Sequence, residues 1–63
     1  MKVNDIIDLF DHSVHFEVYT TDDCMAIGTA EQLRDNIFWF LYSDCEVEKI
    51  RPVNKQFVYI IIE

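Results

Sequence analysis

The chain has 63 residues, of which 51% are hydrophobic, with a single Gly and a single Pro. That is enough for one domain over residues 1–63, and it is not the composition of a disordered tail. Twelve acidic against five basic residues give a net charge of −7, which excludes a simple phosphate-backbone binder and argues against an anionic membrane surface.

The natural macromolecular partner of such a surface is a basic one, although a high negative charge also serves simply to keep a small apolar domain in solution. A domain this short buries only about 60% of the surface its unfolded chain exposes, so a staple or a partner subunit is expected to help. Cys24 and Cys45 are too few for a disulfide-rich secreted scaffold. They read as reduced, partly buried thiols of a cytoplasmic protein, with a Cys24–Cys45 bridge as the alternative. Met1–Phe10 lacks the apolar run of a secretory signal, and no stretch approaches the ~20 apolar residues of a membrane span.

In chain order, Val3, Ile6, Ile7 and Phe10 form an amphipathic stripe, which predicts a helix over 3–11 with Asn4 as its cap. Residues 14–20 alternate, with Val14, Phe16 and Val18 against His15, Glu17 and Tyr19, the pattern of a strand with one face on a core. Thr21–Asp23 is a polar turn, and 24–27 reads as the return strand, ended by Gly28. Thr29 and Gln32 fit a capping box. The next helix, to about 41, would place Ala30, Leu33, Ile37, Phe40 and Leu41 in one sector. A strand over 44–51 comes after it. Val47 and Ile50 break its period of two and hint at a bulge. Residues 52–55 make the turn into the last strand, 57–62, which is apolar on both faces and therefore central.

The predicted fold is α+β, in the order helix, hairpin, helix, hairpin (αββαββ). A four-stranded, mainly antiparallel sheet would carry two helices on one face, with the first and last strands meeting in the middle.

Asp8, Asp11, His12 and His15 offer donors that a divalent metal accepts. They straddle a helix-to-strand junction, however, and read instead as a helix C-terminal His12 and a His15 on an exposed strand face, so no metal is expected. No phosphate-cradling glycine loop and no nucleophile motif is present. No cofactor is expected, and an enzyme has no support in the sequence.

The run Ile37–Tyr42 is the most informative feature. In a continuous helix Phe38, Trp39 and Tyr42 point sideways or outward, and such aromatics anchor interfaces. If the helix instead stops near Asn36, the run packs on the chain's own sheet. Two helices are both needed on the first sheet face. Tyr19 and one apolar set of strand 57–62 are then left uncovered, rimmed by Glu17, Asp22, Asp23, Glu46 and Glu48. The expected partner-binding residues are therefore Phe38, Trp39, Tyr42, Tyr19 and these five acids.

The opening M-K-V-N-D-I-I-D-L-F, the G-T-A-E-Q-L-R-D-N at 28–36, the E-V-E-K-I at 46–50 and the apolar last strand together resemble small orphan proteins of bacteriophages and mobile elements. That family carries no assigned chemistry. The stretch Asn4–Ile7 is similar to the opening of phage-encoded inhibitors of CRISPR nucleases, whose carboxylates occupy the basic groove that would hold DNA. This chain departs from them in its thinly spread charge and larger aromatic surface. The resemblance implies a cytoplasmic protein of the host bacterial cell that inhibits a defence factor by acidic and aromatic contact with a basic protein surface. The alternatives are an oligomer that sequesters a small molecule or nucleotide, and a regulatory or structural oligomer.

Overall fold

The structure, a computed structural model, describes residues 1–21 and 23–63. Asp22, expected in the first turn and in the acidic rim, lies outside the described residues. The first helix, α1, is Val3–Ile7 and buries Val3, Ile6 and Ile7. It is shorter than its apolar stripe because the chain turns after Ile7. Asp11 Oδ1 accepts both the backbone N–H and the hydroxyl of Ser13, each at 2.9 Å. This local turn competes with further helix. Lys2, not Asn4, sits at the cap, and the Asp5 carboxylate accepts the Lys2 backbone N–H at 3.2 Å.

Strands β1 (His15–Tyr19) and β2 (Cys24–Thr29) form an antiparallel hairpin. Gly28 lies inside β2 rather than ending it, at φ 153°. The capping box is present in full: Thr29 Oγ1 accepts from Gln32 N–H at 3.3 Å, and Gln32 Oε1 accepts from Thr29 N–H at 2.9 Å.

The helix it starts, α2, covers only Ala30–Asp35. Asn36 is extended, and its side chain accepts the Phe38 backbone N–H at 2.8 Å. A separate single turn, α3, forms at Trp39–Tyr42. The break reverses the expected burial. Tyr42 is 1% exposed and Trp39 is half-buried against it, edge-on at 5.4 Å, whereas Ile37 and Phe40, expected in the core, are 77% and 72% exposed. A helix that stops loses its phase, so a sector drawn through Asn36 no longer holds for the residues beyond it.

Strands β3 (Val47–Pro52) and β4 (Phe57–Ile62) form the second antiparallel hairpin, closed by Asn54, whose side chain accepts the N–H groups of Gln56 and Phe57. The register of β3 shifts between Val47 and Lys49, at the expected bulge. Residues 44–46, expected in β3, instead bind the start of the chain: Val3 N–H donates to Cys45 O at 3.2 Å, and Lys2 bridges Glu46.

The strand order is β2-β1-β4-β3, with the first and last strands in the middle. They run parallel, so the sheet is mixed rather than mainly antiparallel, and the element order is αββααββ with three short helices. The α2–α3 segment carries the chain from one edge strand to the other, and that crossover makes the inner strands parallel. One core cluster joins Val3, Ile6 and Ile7 of α1 to Leu33, Tyr42, Phe16, Val18, Val58, Ile60 and Ile62. Every strand residue in that set belongs to one alternation, so all three helices cover one sheet face and the other stays open.

Candidate functional site

Two surfaces stand out. The first is the open sheet face. Cross-strand pairing sets Tyr19 against Ile61, Glu17 against Tyr59 and His15 against Phe57 along the two central strands. The Tyr19 and Tyr59 rings meet edge-on at 5.5 Å, and His15 lies tilted on Phe57, also at 5.5 Å. Tyr19 donates its phenolic hydrogen to Glu17 Oε1 at 2.7 Å. That hydrogen bond, reinforced by desolvation, pushes the Tyr19 pKa up to about 12.

The bulge in β3 decides what lies beside these rings. Val47 pairs with Ile62 on the core side. In a regular strand Glu48 would then face Ile61, and Lys49 would turn toward the core. The extra residue instead sets Lys49 opposite Ile61 and Arg51 opposite Tyr59, both on the open face, while Ile50 faces Ile60. The result is an open hollow of about 530 Å³ lined by Tyr19, Tyr59, Ile61, Glu48, Lys49 and Arg51, with Thr20 and Thr21 at one end. It lies on the sheet surface, not in the small core, where no enclosed pocket is expected. Sequence reasoning missed Lys49 and Arg51 as site residues. The signal was the Val47–Ile50 spacing, which implies that the residues flanking Ile50 share the opposite face.

The second surface is a ridge at the α2–α3 break, where Ile37, Phe38, Phe40 and Leu41 are 77%, 54%, 72% and 52% exposed. Asp35 and Asp44, both exposed, flank it in sequence, and Asp44 lies 3.8 Å from the Lys2 ammonium.

The structure disperses the sequence-derived site residues. Phe38 lies on the ridge, Trp39 half beneath it, and Tyr42 in the core, so Tyr42 offers no area to a partner. Tyr19 and Glu17 lie on the open face, and Glu48 lines its hollow. Asp23 is exposed in the hairpin turn, where its carbonyl accepts Thr20 N–H at 2.8 Å. Glu46 accepts from the N-terminal ammonium at 3.2 Å. Among the described acids of the expected rim, only Glu48 lines the hollow.

Among the described residues the candidate metal ligands do not gather into a group of three or more, although Asp11 and His12 lie 3.5 Å apart. Asp8 accepts from Arg34 at 2.7 Å, Asp11 binds Ser13, and His12 is exposed. The Ser13 hydrogen bonds, backbone first, and then nearby His12 hold the Asp11 carboxyl below its ordinary range. Cys24 is an exposed free thiol and Cys45 a half-buried one. Among the described residues, no helix is long and apolar enough to cross a membrane.

No protein-family model, curated protein or solved structure matches this chain.

Proposed function

We propose that this chain is a contact protein of a bacteriophage or mobile element that inhibits a host defence factor, most concretely a CRISPR nuclease, by covering a basic nucleic-acid-binding surface. The observation that carries this reading is the ridge: Ile37, Phe38, Phe40 and Leu41 are all more than half exposed. Burying such a side chain is worth roughly 1.5–3 kcal/mol. Four large apolar side chains exposed within five residues of sequence favour a docking surface. Exposed Asp35, next to this run in sequence, and the overall charge of −7 favour a basic partner and steer the encounter with it. Phe38 and Phe40 are the anchors, as aromatics near the centre of an interface usually are.

The test is a cleavage and DNA-binding assay on a panel of purified CRISPR nucleases and other nucleic-acid-binding defence proteins. One of them is expected to lose DNA binding when the chain is added. Phe38→Ser and Phe40→Ser are each expected to weaken that inhibition about tenfold or more. Absence of binding across the panel, or full inhibition by the Phe38→Ser/Phe40→Ser double variant, overturns the reading.

A further inference from the structure

We infer that the hollow on the open sheet face is a binding site for a small ligand with a planar ring and a phosphate group, of the nucleoside monophosphate class. It is separate from the ridge of the proposed contact and stands on different residues.

Three features converge there. Tyr19 and Tyr59 bring two aromatic rings to one wall, and Ile61 gives an apolar floor. A flat base stacks on such a surface whatever its sequence identity. The bulge delivers Lys49 and Arg51 to the same hollow, two of only five basic residues in the chain. Their disposition differs from that of Arg34, which is tied to Asp8 and Asn4, and of Lys2, which lies 3.8 Å from Asp44. Among the described residues, Lys49 and Arg51 make no ion pair with a carboxylate. Two residues apart on one strand face, their side chains start roughly 7 Å from one another, close enough for both heads to reach a single phosphate. The hollow, about 530 Å³, falls in the range of roughly 300–1,000 Å³ of small-molecule sites.

The net charge of −7 does not defeat this arrangement. At physiological salt, exposed charges farther apart than about 8 Å are largely screened, so a bound phosphate responds mainly to the charges that line the hollow. Among the described residues those are Lys49, Arg51 and Glu48, with Glu17 engaged by the Tyr19 hydroxyl. A long nucleic-acid backbone would have to cross the acidic surroundings as well, which is why the ligand is small. Because the hollow is open, binding is expected in the micromolar-to-millimolar range.

The test is a nitrogen-15 amide titration of the full chain with adenosine monophosphate, adenosine and inorganic phosphate. Adenosine monophosphate is expected to shift the amides of Tyr19, Lys49, Arg51, Tyr59 and Ile61, and to bind more tightly than either fragment. Lys49→Gln and Arg51→Gln should each weaken it about tenfold, whereas Glu48→Gln should strengthen it several-fold, a gain that a merely structural role would not produce. All three positions are exposed, so the variants are expected to fold. Absence of open-face shifts at millimolar nucleotide overturns the inference. So does adenosine binding as tightly as its monophosphate, or affinity unmoved by the two cation variants. A dimer that buries the face, seen in sedimentation, also overturns it. Because Phe38 and Phe40 take no part in the site, failure here leaves the ridge reading standing.

Discussion

Gly28 sits where β2 hands over to α2, at a φ of 153° that side-chain-bearing residues rarely adopt. A Cβ built there would stand 2.8 Å from Gln32 Oε1 and 2.9 Å from Gln32 Cβ. Gly28→Ala therefore strains the backbone and dislodges the residue that closes the capping box. The expected loss is about 1–3 kcal/mol, read as a lower urea midpoint at unchanged slope. The Tyr19–Glu17 pair gives a second residue-scale prediction. The folded-state pKa of Tyr19, about 12, stands above its ordinary 10.0, so the fold favours the protonated phenol. The linked stability is whole below pH 10 and disappears as pH rises through 12. Ultraviolet titration of tyrosinate should show Tyr19 ionising late, and Glu17→Gln should bring it back toward 10. Tyr42, which burial alone raises, should not move in that variant.

At the scale of elements, the division between α2 and α3 matters most. Phe38, Trp39 and Tyr42 share a short aromatic run, yet only Tyr42 is fully buried. Its hydroxyl lies 3.5 Å from the Leu33 carbonyl, at the limit of a hydrogen bond. Tyr42→Phe should therefore cost less than about 1 kcal/mol. Tyr42→Ala, which empties a core position, should cost about 3–5 kcal/mol. Against a stability of about 5–15 kcal/mol, with a small domain at the low end, that loss should leave much of the chain unfolded at room temperature. Circular dichroism with urea separates the two outcomes. The capping box was legible in Thr29 and Gln32, and the bulge in Val47 and Ile50, because both are short-range patterns. The stop at Asn36 was only one of two readings, because Asn is tolerated both inside a helix and at its end.

For the whole molecule, three helices on one face of a four-stranded sheet leave two apolar surfaces at the exterior: the open face and the ridge. The ridge predicts a dissociation between stability and binding. Phe38→Ser and Phe40→Ser remove exposed side chains, so each should change unfolding free energy by no more than about 0.5 kcal/mol, measured by urea denaturation. The same variants are expected to impair partner inhibition. If they unfold the domain, the ridge is core in solution. Sequence reasoning located the uncovered sheet face by counting helices against apolar strand faces. It did not reveal the basic character of one side of that face, because total charge does not say which residues a bulge turns outward.

What the sequence by itself determined is local: the capping box, the alternation of β1, the central position of β4 and the presence of a bulge near Glu48. Each depends on neighbours within a few residues, where spacing translates directly into geometry. Only the tertiary structure decided the parallel pairing of β1 with β4, the burial of Tyr42 in place of Phe40, and the meeting of Tyr19 and Tyr59 with Lys49 and Arg51. Those outcomes join residues far apart along the chain, and they depend on how the crossover and the broken helix share one limited core.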